Sequence, residues 1–191
     1  MNKIYSLLVA LAFTFSLQAQ NSYQEEYADL PDGEYEENYM NGHKKWNITK
    51  QNAYVVDYIS YERDGQLEKS LHFKNGLYHG IQIMNYGSRM SSEYFVENDT
   101  LISAKILISY KRLEQVKQKM EYDKKNITLK WNKDVSFVSD GLFLLAQENC
   151  YVSNYYKNGK LKSEGWLINN KKRGEWKFYD ESGTEVKKES F

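Results

Sequence analysis

Three histidines, His43, His72 and His79, and one cysteine, Cys150, are the side chains best suited to chemistry at neutral pH. His72 and His79 stand seven residues apart with opposite strand parity and a turn expected between them, a poor arrangement for sharing a metal ion. Solvated hairpin histidines explain them more simply. Cys150, in Glu-Asn-Cys-Tyr-Val with no histidine nearby, reads as a half-buried strand residue rather than a nucleophile. A single thiol cannot close an internal disulfide, so the fold must hold without one. The chain contains no Gly-x-Ser-x-Gly elbow, Walker loop, Gly-x-Gly-x-x-Gly or His-Glu-x-x-His. Carboxylates are plentiful, but nothing in their spacing selects a pair for acid–base work. The reading is of a non-enzymatic chain with no catalytic, cofactor-binding or metal-ligating residue. What remains is a cluster suited to contact: the rings of Tyr155, Tyr156, Trp166, Trp176 and Tyr179 beside the cations Lys171, Lys172 and Arg173. Rings and cations together could meet a protein, an anionic group or a lipid headgroup. The plainer account is that one parity packs inside a sheet and the basic run guards a turn.

Those residues need elements to hold them, and glycine spacing says which. Tyr61-Glu-Arg-Asp-Gly65-Gln-Leu67 lies on Tyr155-Tyr-Lys-Asn-Gly159-Lys-Leu161, and continuing the alignment puts Asn75 on Asn169, Gly76 on Asn170 and Gly80 on Gly174. Gly65 to Gly80 and Gly159 to Gly174 are each 15 residues; Gly65 to Gly87 is 22 and Gly159 to Gly183 is 24. A period near 23 thus appears twice. Aromatic-x-Asn-Gly occurs at Tyr39/Gly42, Phe73/Gly76 and Tyr156/Gly159. Asn-Gly predicts type I′ hairpin turns, and Asn170 tolerates the left-handed region that its place in the repeat requires. Between turns the residues alternate: Trp176 with Phe178, Trp166 with Ile168, Ile81 with Ile83. Proline occurs once, at Pro31, which suits long ladders. A two-stranded unit cannot bury its own face, so the units must stack. The prediction is an all-β fold, an elongated antiparallel meander of repeated hairpins in a single-layer or weakly curled sheet.

The remaining sequence supplies address and boundaries. Met1-Asn2-Lys3 and the apolar run Ile4 to Leu17, ending in Gln18-Ala19-Gln20, have the pattern of a cleaved secretory signal peptide over residues 1–19. Fourteen residues span only about 21 Å as a helix, short of a bilayer core. With no cysteine at the end of the run, the expectation is export to the periplasm or medium without a lipid anchor. Residues 20–38 are acidic and read as a partly disordered lead-in; 39–191 read as the repeat domain, clearest at 61–87 and 155–183. Leu101 to Tyr110, Asn126 to Trp131, Val135 to Val138 and Leu142 to Leu145 read as strands, with turns at Asn132-Lys133-Asp134 and Asp140-Gly141. Lys111 to Lys125 fits a helical face through Leu113, Val116 and Met120 or a strand face through Val116, Met120 and Tyr122, and its strand flanks favour the strand. Acidic and basic residues balance at 26 each, so bulk charge gives no reason to expect a nucleic-acid partner. Order must rest on 17 Tyr, 4 Trp and 8 Phe more than on a deep aliphatic core.

The stretch Tyr156-Lys-Asn-Gly-Lys-Leu-Lys-Ser-Glu-Gly-Trp-Leu-Ile-Asn-Asn-Lys-Lys-Arg-Gly-Glu-Trp-Lys-Phe-Tyr179 resembles the MORN-repeat variant of bacterial proteins labelled YwqK-type antitoxins. The copy from Gly65 to Tyr86 is similar but looser, and no repeat spacing is visible between Thr100 and Val152. The resemblance implies a repeat scaffold that binds a partner, a toxin in the family's own label. With an export signal, an envelope component or an immunity role fits better than a cytosolic antitoxin. The alternative is a membrane- or polysaccharide-associated module in peripheral contact with the envelope.

Overall fold

The computed structural model describes residues 22–110, 115–131 and 148–191. Positive φ angles mark two kinds of turn, one at each end of the strands. At one end, Tyr39–His43, Glu62–Gln66, Tyr156–Lys160 and Asp180–Thr184 repeat one backbone pattern. The first amide donates to the fifth carbonyl, and the glycine amide (Gly42, Gly65, Gly159 or Gly183) donates back to the first. Only the glycine has positive φ, between 81° and 90°, and a bulge precedes each turn. At the other end Asn52-Ala53, Asn75-Gly76, Asn98-Asp99 and Asn169-Asn170 have positive φ at both residues, as type I′ demands. Asn41-Gly42 and Asn158-Gly159 are therefore not type I′ turns, as their dipeptides suggested. The Phe73/Gly76 echo belongs to the opposite end of the sheet from Tyr39/Gly42 and Tyr156/Gly159. The predicted equivalence of Asn75-Gly76 with Asn169-Asn170 holds.

Turns so spaced give one open antiparallel sheet of thirteen strands among the described residues. They are β1 Gly33–Asn38, β2 Lys44–Gln51, β3 Tyr54–Tyr61, β4 Leu67–Lys74, β5 Leu77–Tyr78, β6 Gly80–Tyr86 and β7 Met90–Glu97, then β8 Thr100–Ser109, β9 Val116–Asp123, β10 Cys150–Tyr155, β11 Leu161–Ile168, β12 Lys171–Tyr179 and β13 Glu185–Ser190. Each pairs with its neighbours in sequence, β5 standing off the path on β4. The repeat is also a side-chain device. Tyr39 Oη donates to the Tyr61 carbonyl at 2.9 Å and Tyr156 Oη to the Tyr179 carbonyl at 2.8 Å, 22 and 23 residues on. Asn41 and Asn158 donate likewise to Arg63 and Glu181 in the next turn.

Two segments differ from the sequence expectation. Asn126 to Trp131 is not a strand but part of helix α1, Lys124–Trp131. Asp123, not lysine or asparagine content, decides this: its Oδ1 accepts the Asn126 amide at 3.0 Å, an N-cap, and Ile127 is then fully buried. The sheet also begins at Gly33, inside the stretch read as an acidic lead-in, and residues 22–32 are docked on it. The expected turns and strands at 132–134, 135–138, 140–141 and 142–145, and the leader 1–19, lie outside the described residues.

Register sorts the side chains onto two faces. The packed face carries Ile48, Tyr58 and Leu71 in one cross-strand row, and Ile106, Met120, Val152 and Gly165 in another. The opposite face carries the row Ile59, Ser70, Ile83, Glu93, Lys105, Glu121, Tyr151, Trp166 and Arg173. Ile81 and Ile83 do share a face, but it is this outer one. Fully buried Gln82 turns inward instead, because the β4–β6 ladder breaks at His72 and the Gln82 amide repairs it, accepting the His72 N–H at 2.8 Å and donating to the His72 carbonyl at 3.0 Å.

Over β2–β4 residues 22–32 roof the packed face. Tyr23 and Tyr27 lie against Tyr58, Phe73 and Trp46. Gln24 bonds both backbone groups of Val55, and Asp32 accepts the Asn52 and Ala53 amides. Lys50, 2% exposed, donates to the carbonyls of Tyr27, Ala28 and Leu30 at 2.8, 2.6 and 2.5 Å. A buried ammonium is tolerated there because all three of its protons meet oxygen.

Candidate functional site

The eight aromatic and basic residues singled out by sequence do not form one surface. Trp166, Lys171, Arg173 and Tyr179 belong to the outer face, while Lys172 and Trp176 are on the packed face. Tyr155 and Tyr156 enter the turn between β10 and β11. Tyr179 donates to Glu164 Oε1 at 2.7 Å, which with partial burial raises its hydroxyl pKa to about 12. Trp166 meets Tyr151 edge-on at 5.3 Å, with the Lys130 ammonium 4.8 Å from its centroid. Lys171 and Arg173 are exposed.

What the structure adds is a groove of about 450 Å³ on the packed face across β8–β12. Its floor is Val152, Ser163, Leu167 and Trp176, its rim Tyr110, Tyr155 and the three lysines Lys117, Lys162 and Lys172. A polar ladder crosses it: Gln118 Nε2 donates to Asn154 Oδ1 at 2.9 Å, and Asn154 Nδ2 to Ser163 Oγ at 3.1 Å. Tyr155, Lys172 and Trp176 are the sequence-selected residues that reach it. Gln118, Asn154 and Ser163 were missed, since polar residues on a sheet read as solvent-facing without the register that turns them inward. Lys117 and Lys162 are exposed and were missed because nothing in their spacing ties them to the groove.

At one end of this groove the Trp176 indole is pinned. Its Nε1 donates to the Trp166 carbonyl at 3.0 Å, and a Cβ at Gly165 would fall 2.5 Å from three indole atoms, so no other residue lets the ring lie there. Phe178 and Phe191 flank it, each 6.4 Å centroid to centroid. The Lys172 ammonium lies 4.7 Å from the Trp176 centroid and 4.8 Å from each phenyl. A bulge in β12 at Gly174 makes this possible, its backbone exchanging two 3.0 Å bonds with Phe191.

A second polar cluster lies on the outer face. His72 Nδ1 is 2.6 Å from Asp57 Oδ1, and His72 Nε2 is 3.1 Å from Ser70 Oγ. With Nδ1–H donated to the carboxylate, Nε2 is left to accept the hydroxyl proton, so the line can pass a proton. The order of groups is that of a hydrolytic triad, and the spacing Asp57, Ser70, His72 gave no sign of it. Acyl transfer also needs amide donors aimed at the developing oxyanion. Ser70 sits mid-strand between Ile59 and Ile83, where its amide lies in the sheet plane and belongs to the ladder. A larger hollow of about 660 Å³ lies among turn tips at Glu62, Asp64 and Gln66. Within it Asp64 serves the turn itself, accepting both Gln66 donors.

Burial raises the Cys150 thiol pKa to about 12, which removes the thiolate from neutral chemistry. No group of three or more metal-ligating side chains occurs among the described residues. No protein-family model and no curated protein matches this chain.

Proposed function

We propose that the chain is an exported, non-enzymatic repeat protein whose sheet serves as a scaffold for contact with a protein or another envelope component. The observation that carries this reading is the groove over β8–β12: a concave, partly apolar site on a rigid hairpin array, with none of the described residues roofing it as residues 22–32 roof the equivalent face over β2–β4. Rigid repeat sheets suit extended partners better than small-molecule turnover. The Asn-Gly, Lys-Leu-Lys and Gly-x-Trp positions that resemble the MORN-repeat variant support a partner-binding role, and toxin neutralisation in the periplasm is the specific form the family's label suggests. Export rests on the basic start and the apolar run before Gln20.

Affinity capture from a cell-envelope fraction tests it, with the chain from residue 20 as bait beside a Lys117→Glu/Lys162→Glu variant of unchanged circular dichroism. A partner retained by the first and lost by the second supports the groove; equal recovery by both rejects it. Three lysines around one groove also favour a second reading, contact with an anionic envelope surface. Complete absence from a sedimented anionic-liposome pellet at low salt removes that reading.

A further inference from the structure

We infer that Trp176, Phe178 and Phe191 form a cage for a quaternary ammonium group, and that the groove beside it is built for phosphocholine. Three rings face one point from three directions, and that point now holds the chain's own Lys172 ammonium at 4.7–4.8 Å from every centroid. Aromatic faces attract cations by their quadrupole, and a trimethylammonium loses less hydration on entering than a primary ammonium does. The cage is preorganised. Trp176 is 3% exposed, fixed from behind by Gly165 and at its edge by the Trp166 carbonyl. Phe191 is 49% exposed, which leaves an open side. Lys172 is in none of the ion pairs among the described residues, so a flexible stem and the rings alone keep it in place.

The anionic half of the ligand follows from the neighbours. Lys117 and Lys162 line the groove that the cage opens onto, and Lys172 lines it as well. A cation among rings and an anion among lysines match a phosphocholine zwitterion. This goes beyond the scaffold reading and does not require it: partner capture and ligand binding are measured separately, and either can fail alone.

The test is calorimetric titration of the chain with choline, phosphocholine and methylammonium, and co-sedimentation with phosphatidylcholine vesicles. Phosphocholine should bind more tightly than choline, and Lys117→Ala/Lys162→Ala should erase that advantage while leaving choline binding intact. Lys172→Ala should tighten choline several-fold by removing the internal competitor. Phe191→Ala, at an exposed position that spares the fold, should abolish binding of both. Binding of soluble phosphocholine without vesicles identifies a free or glycan-borne group as the source; binding of both identifies the lipid headgroup. No saturable binding to wild type or Lys172→Ala, or equal affinity of Lys172→Ala for methylammonium and choline, overturns the proposal.

Discussion

Leu71, His72 and Gln82 in the first clear repeat, and Gly165, Trp166 and Trp176 in the second, occupy the same places, each pair 94 residues apart. In both, a side chain on the third strand reaches back to one carbonyl: Gln82 Nε2 to His72 and Trp176 Nε1 to Trp166, each at 3.0 Å. The backbone template and the ladder repair are therefore common. The volumes are exchanged. Leu71 is large where Gln82 is slim; Gly165 is absent of side chain where Trp176 is broad. The roof differs to match. Over the first copy Lys50 is sealed under residues 22–32 with its protons on carbonyls, whereas over the second Lys172 rests on rings beside an open groove. One hairpin frame can thus be closed or made receptive by a pair of compensating residues.

Five substitutions break or sharpen that comparison. Gly165→Leu should be the most damaging, about 3 kcal/mol by urea unfolding, since the new side chain must enter the space of the buried indole. Combined with Trp176→Gln it copies the Leu71/Gln82 pair, and most of the loss should return; an additive double mutant would mean the two slots are not equivalent. Next comes Lys50→Met, about 2 kcal/mol, because three carbonyls of the roof lose their charged donor. Residues 22–32 should become protease-sensitive in that variant while β10–β13 stay protected. Tyr156→Phe and Tyr39→Phe should each cost about 1 kcal/mol, and to the same extent, if their bonds to the next turn are one repeated device.

The smallest effect concerns Asp99, 5% exposed, whose Oδ1 accepts the Tyr78 amide at 2.7 Å. Burial outweighs that bond and raises the carboxyl pKa above its usual 3.8. The folded state then holds the proton more tightly than the unfolded one. This contribution to stability is full below 3.8 and is lost as pH rises through the folded value. Asp99→Asn keeps an acceptor for Tyr78 and should flatten that decline, which chemical denaturation at a series of pH values will show.

Sequence spoke clearly where backbone geometry restricts residue choice. Gly65, Gly159 and the Asn169-Asn170 pair announce turns because few other residues adopt their φ angles, and turn spacing alone implies the meander. It was silent where a contact depends on register. Ile81 and Ile83 look like core and face outward, because alternation cannot reveal that the ladder fails at His72. The cage was hidden because only the Gly174 bulge and the pairing with Phe191 bring Lys172 and Phe191 to the Trp176–Phe178 pair that alternation had shown. Asp123 does end strand β9, as the strand reading has it, but that reading missed its side chain, whose carboxylate three residues ahead of the Asn126 amide starts α1.

The order of strands along the sheet has a kinetic consequence. Almost every pairing closes over a short turn, so hairpins on either side can zip up independently and quickly. Among the described pairings the long closure is the seam between β9 and β10, where Met120 must find Val152. Both walls of the groove meet at that seam, so loop-closure entropy makes the joining that completes the groove the costliest of the described pairings.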